Sequence, residues 1–153
     1  MSPTQFTITT LALAATVGCA QAQQATDASA TAVADASTDI LLTHHLSSFL
    51  HNDLEAVVSD YSDESVLVTA TASYTGPAEI RRFFAQLMAQ FPTQKTNFQL
   101  DKMVVDRELV FIVWHATTPT LKVPLGTDTF VLKDGKIHRQ TFAGAMQQVP
   151  GGW

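Results

Sequence analysis

From residue 40 onward the spacing of the large apolar side chains changes three times, and each change predicts a different element. Leu42, His45, Leu46 and Phe49 recur at the i, i+3, i+4, i+7 spacing of one helical face, with His44, Ser47, Ser48 and His51 on the polar side. This helix is predicted to begin at Ile40, capped by Thr38 or Asp39, and to end near Asn52. Asp53 restarts a short helix over 54–59 that packs Leu54, Val57 and Val58, and Tyr61 follows at its exit. The Val- and Thr-rich stretch 65–71 reads as a strand. Tyr74-Thr75-Gly76-Pro77 forms a turn, with Pro77 suited to a first helical position. Ile80, Phe83, Phe84, Leu87, Met88 and Phe91 then trace one apolar stripe up to Pro92, the mark of a helix turned to the core. Beyond Pro92 the period falls to two. Strands are predicted over 96–105, 109–117, 121–132 and 136–143, joined at Asp106-Arg107, Thr118-Pro119 and Asp134-Gly135, the last a tight-hairpin signal. Helices first and sheet afterwards argue for an α+β fold rather than a parallel α/β one.

Upstream the pattern is of another kind. Ile8 to Val17 is apolar and Ala-rich but too short to span a bilayer, and Ala20-Gln21-Ala22 supplies the small-x-small pattern of signal peptidase sites. Residues 1–22 therefore read as a signal peptide and the protein as exported, periplasmic or secreted. Met1 to Thr7 carries no Lys or Arg, so a disordered apolar tail is the alternative. Cys19 is the one cysteine. It is either lost with the signal or becomes the lipidated first residue of a lipoprotein; Thr16 stands where such sites usually carry Leu, which favours loss. Residues 23–38 hold no large side chain except Val33 and read as a flexible linker, because they cannot offset their ordering entropy by burial. The folded domain is expected over 39–144, with a loose tail over 145–153.

Composition narrows the partners. The chain has 153 residues, 46% of them hydrophobic, which suits one domain with a real core. The net charge is −5 and the nine Lys and Arg residues, all at or after Arg81, form no cluster. Nucleic acid and anionic membrane are thereby disfavoured, apart from a lipid anchor at Cys19. The domain offers no cysteine nucleophile and no Gly-rich phosphate loop. His44 and His45 are not a metal pair, since adjacent helical residues point about 100° apart. Neither a metal nor an organic cofactor is expected.

Three groups of residues carry a family resemblance: Asn52-Asp53-Leu54 leading to 60–66 (Asp-Tyr-Ser-Asp-Glu-Ser-Val); 75–80 (Thr-Gly-Pro-Ala-Glu-Ile) with Phe83-Phe84; and 126–130 (Gly-Thr-Asp-Thr-Phe) through 134–137 (Asp-Gly-Lys-Ile) to Gln140-Thr141-Phe142. Together they resemble the nuclear transport factor 2-like superfamily and, within it, the SnoaL-like group, over roughly residues 39–144. The resemblance implies a cone: a curved antiparallel sheet wrapped around a long helix, with two N-terminal helices. Its open end forms a pocket for a small, mostly apolar molecule, lined by the first helix, the first strand and the inner face of the meander. It also implies a homodimer through the outer sheet face. It does not fix the chemistry, because this fold hosts isomerases, cyclases, dehydratases, epoxide hydrolases and inactive members.

The resemblance assigns the site residues one at a time. The ketosteroid isomerases use a strand carboxylate as base and an oxyanion hole of Tyr and protonated Asp. By the flanking motifs the Asp falls on Asp128, the Tyr on His45 and the base on or near Thr69. An unperturbed hydroxyl is too weak a base to take a proton from carbon, which argues against steroid-type isomerisation. SnoaL-like cyclases place an acid near Asp128, so acid–base work by Asp128, with His45 as a dyad partner if the two meet, survives. Strand parity independently puts Asp128 on the apolar face with Gly126, Phe130 and Leu132. A two-residue loop at Thr118-Pro119 would put His115 on that face; one more loop residue would put Trp114 there, and a Trp suits an apolar wall better. Tyr61, Thr69, Trp114 and Phe130 are the expected ligand contacts. An epoxide-hydrolase set would need Asp128, Arg139 and Asp101 together. The alternative to an enzyme is an exported binding or interaction module without catalysis.

Overall fold

The computed structural model describes residues 17–150. Helix α1 (Val17–Leu50) is followed by α2 (Leu54–Ser59), β1 (Tyr61–Thr69), β2 (Ser73–Thr75), α3 (Gly76–Met88), β3 (Asn97–Asp106), β4 (Leu109–Thr117), β5 (Leu121–Lys133), β6 (Lys136–Gly144) and β7 (Gln147–Gln148). The strands form one curved, unclosed sheet in the order β2-β1-β6-β5-β4-β3, with β7 added on β5. All neighbours are antiparallel except β1 and β6, which run parallel. The fold is α+β, as the order of periodicities predicts, and has the cone architecture that the resemblance implies.

The core follows the predicted stripes. Leu42, His45 and Phe49 of α1 are buried, as are Ile80, Phe84 and Met88 of α3. They pack against the inward residues of β4, β5 and β6, such as Ile112, Phe130 and Ile137. Asp53 caps α2, its carboxylate accepting from the Ala56 N–H at 3.0 Å. Asp134 and Gly135 both adopt positive φ, 52° and 70°, as a tight hairpin of this kind requires.

Three expectations are corrected. Thr38 and Asp39 do not start a helix: α1 runs unbroken from Val17, and the Thr38 hydroxyl instead donates to the Arg107 carbonyl at 2.9 Å. The stretch expected as a flexible linker is helical because alanine has the highest helix propensity. Its described side chains between residues 28 and 37 are exposed, Val33 at 65%, and burial begins at Thr38. The expected loose tail contains β7, whose Gln147 and Gln148 pair with Lys122 and Leu121. The apolar part of the expected signal sequence, up to Thr16, lies outside the described residues. Among those residues no helix is long and apolar enough to cross a membrane.

Two irregularities decide what faces inward. On β4, Trp114 pairs with Gly126, but Ala116 pairs with Val123, so three steps along β5 match two along β4. The extra residue falls at Pro124-Leu125, both exposed, a fitting place for a proline that cannot join the ladder. On β6, Leu132 faces Ile137 and Val131 faces Arg139, which leaves His138 as the inserted residue. Both Ile137 and Gln140 are buried as a result, although they lie three apart.

Candidate functional site

A cavity of about 40 Å³ lies between α1, α3 and the inner face of the sheet. Seven of its lining residues are aromatic: Phe49, Phe83, Phe84, Phe98, Trp114, Phe130 and Phe142. Leu46 and Leu87 add aliphatic wall, and His45, Asp128 and Gln140 are the polar members. Such a volume holds only a few waters. A larger guest enters only if rings at the rim move, and Phe83, Phe98 and Phe142 are the half-buried ones.

Asp128 stands on β5 with 7% of its surface exposed, on the same face as Gly126, Phe130 and Leu132. Both of its oxygens are occupied. The Trp114 indole N–H donates to Oδ2 at 2.8 Å and the Gln140 amide donates to Oδ1 at 2.8 Å. The Tyr61 hydroxyl in turn donates to Gln140 Oε1. Burial raises the Tyr61 pKa well above the ordinary phenol value, with the carboxylates of Asp128 and Asp60 adding to it, so the hydroxyl keeps its proton and stays a donor. That obligation sets the Gln140 amide with its NH₂ toward Asp128. The pKa of Asp128 is itself raised. Burial is the largest cause; the bonds from Trp114 and Gln140 and the charge of His45 oppose it. A carboxyl held by fixed donors and pushed toward neutrality by burial is suited to moving a proton.

Trp114 reaches Asp128 because Gly126 lies beneath it. A Cβ at residue 126 would come within 2.4 Å of the indole ring, so only glycine lets the ring lie across the strand. The same ring stacks on Phe142, their planes 13° apart.

His45 is 2% exposed and lines the same cavity. Its Nδ1 bonds to Asp60 Oδ2 at 3.0 Å, and among the described residues no hydrogen bond joins it to Asp128. The expected direct dyad is therefore not made; the two groups share the cavity and are coupled through charge. Asp60 is also bonded by His44, Nδ1 to Oδ1 at 2.8 Å. The two imidazoles diverge along the helix, but one carboxylate lies between their directions. The three side chains do not form a metal-binding arrangement.

The other predicted contacts divide. Trp114 faces inward, while His115 points to the outer face and bonds Asp101 at 2.7 Å. Phe130 lines the cavity. Tyr61 is buried behind Gln140 and acts through it. Thr69 is not a lining residue: it lies at the exit of β1, where its hydroxyl serves the turn to Ala72. The epoxide-hydrolase set is not assembled either. Asp101 is on the outer face and the exposed Arg139 donates to the Glu64 and His138 carbonyls. Gln140 and Asp60 are the site residues that sequence reasoning missed.

The SnoaL-like domain matches residues 42–140. The chain belongs to the SnoaL-like domain family. None of the curated proteins matches this SnoaL-like chain. Solved structures share its fold at low identity. One is the epoxide hydrolase/cyclase-like enzyme SalBIII of pyran ring formation in the polyether salinomycin, 14% identical, covering 72% of this chain and 92% of that one, with a TM-score of 0.62. A nuclear transport factor 2-like protein of Mesorhizobium loti is 18% identical over 71% of this chain and 91% of its own, with a TM-score of 0.60. A de novo designed protein with a curved β-sheet reaches 0.61 at 14% identity, over 71% of this chain and 85% of that one. The SnoaL-like architecture is thus found with an enzyme and with a designed scaffold alike, and the chemistry must be argued from the site.

Proposed function

We propose that this SnoaL-like domain binds a small, mostly apolar molecule in the aromatic cavity and moves a proton on it, with Asp128 as the acid–base group and His45 as the second polar contact. The observation that carries this is the position of Asp128: a buried carboxyl, both oxygens fixed by neutral N–H donors, in a wall that is mostly aromatic and aliphatic. Nothing in such a wall needs a carboxylate for packing, and burying one is costly.

Proton transfer to carbon is tested without knowing the substrate, by following hydrogen–deuterium exchange at the α-carbon of small cyclic ketones by NMR. Wild type is expected to accelerate exchange, and Asp128→Asn to lose about 10²–10⁴-fold of it, the usual share of a positioned acid–base group. Exchange no faster than buffer, with wild type and variant alike, rejects the catalytic reading. A specific observation favours the alternative of a non-catalytic binding module: the cavity of about 40 Å³ is small for a substrate.

The implied homodimer has support on the outer sheet face, where Val104, Leu109 and Phe111 are exposed side by side across β3 and β4. A sedimentation mass of one chain at micromolar concentration rules it out.

A further inference from the structure

We propose that Asp60 is the positioning residue of this site: its buried carboxylate holds Nδ1 of both His44 and His45, fixes His45 as the Nδ1–H form and so presents Nε2 to the cavity. The inference rests on the acid–base reading of the cavity for its use, but its geometry stands apart from it.

Asp60 is 3% exposed and sits at the junction of α2 and β1. Its backbone is pinned on both sides: its N–H donates to the Val57 carbonyl at 3.2 Å and its carbonyl accepts from Ile137 N–H at 2.8 Å. Its side chain therefore has a fixed origin. Oδ2 meets His45 Nδ1 at 3.0 Å and Oδ1 meets His44 Nδ1 at 2.8 Å. An ionised carboxylate only accepts, so each imidazole must carry a proton on Nδ1 to bond it. For His45 this leaves Nε2 as the nitrogen available to a guest. A ring turned over would fill the same space but lose its bond to Asp60. Tyr61, Phe84 and Phe130 stand edge-on around it, with ring centroids 5.6 to 5.7 Å away. His44, whose side chain is 48% exposed, braces Oδ1 from the solvent side. Asp60 thus acts on the cavity through His45 without touching it.

The test is ¹⁵N NMR of histidine-labelled full chain at about pH 8.5, above the ordinary imidazole range. In wild type, Nδ1 of His45 is expected to be protonated, whatever the state of Nε2. A His45 protonated only on Nε2 overturns the proposal. In Asp60→Asn the partner becomes an amide, with one accepting oxygen and one donating NH₂. His44 and His45 face different oxygens of the carboxylate, so the NH₂ takes the place of one acceptor and one of the two histidines is expected to change to the Nε2–H form. Replacing His44 by Ala in that background frees the amide oxygen for His45 and is expected to leave or return it as Nδ1–H. An Asp60→Asn spectrum in which neither histidine changes overturns the proposal. If the variant does not fold, the wild-type spectrum decides. The readout needs no substrate, so a chain that shows the expected tautomers but no proton exchange on ketones keeps this inference and loses the catalytic reading.

Discussion

Asp60 and Asp128 are both buried carboxylates, and each accepts two bonds from nitrogen, but their donors differ in kind. The donors to Asp128 are an indole and an amide, which neither gain nor lose protons at ordinary pH. The donors to Asp60 are two imidazoles, each able to carry a charge. The proton affinity of Asp128 therefore answers to burial, to its fixed dipoles, to the charge of His45 and to whatever enters the cavity. The role of Asp60 is tied to the state of its two partners. The comparison separates a group poised to act from a group that orients one, and it does so by the chemistry of the neighbours rather than by depth, since the two are about equally buried.

The strongest way to break this comparison is to take one of the fixed donors from Asp128 without touching the carboxylate. Gly126→Ala places a methyl group against the indole, so Trp114 must tilt and its N–H leave Oδ2. Overpacking of this kind costs about 1–3 kcal/mol. A lower denaturant midpoint, with a shift in tryptophan emission, is the expected result; an unchanged midpoint and spectrum would mean that the ring does not lie across Gly126.

A smaller effect sharpens it. Burial and hydrogen bonding act on Asp128 in opposite directions, and burial is the larger. Its folded pKa therefore lies above its unfolded one. The stability this contributes is present below the unfolded value, near 3.8, and is lost as pH rises through the folded value. Measured against Asp128→Asn, which cannot titrate, wild type is expected to lose relative stability as pH climbs from about 4, and then to level off. A relative gain over that range would show that the bonds from Trp114 and Gln140 outweigh burial. Thermal unfolding of both proteins across a pH series reads the difference.

Much of this is legible in the amino-acid sequence. The spacing of Leu42, His45 and Phe49 put His45 on the buried face of α1, and parity put Asp128 on the face of Phe130, because each relation is local to one element. Their partners were not legible for the same reason. Asp60 belongs to a junction, where no period applies. Gln140 was hidden by the inserted His138: a strict alternation from Ile137 would turn it outward. The facing of Trp114 could not be settled by loop length, because the register changes within the strand, at Pro124-Leu125. A proline in the middle of a predicted strand was the available sign. The helical reach of α1 back to Val17 leaves no apolar periodicity, because alanine propensity rather than burial forms that part of the helix.

The bulge at Pro124-Leu125 has a consequence for how such a pocket can change. Ahead of it β5 buries the odd-numbered Leu121 and Val123; after it, the even-numbered Asp128 and Phe130. Losing one residue there would force one half of the strand to turn its buried set outward. A lineage could exchange Asp128 and Phe130 for Thr127 and Thr129 on the inner face by a single deletion, with no substitution at all. In this cone the length of a strand is as heritable a determinant of the lining as the identity of its side chains.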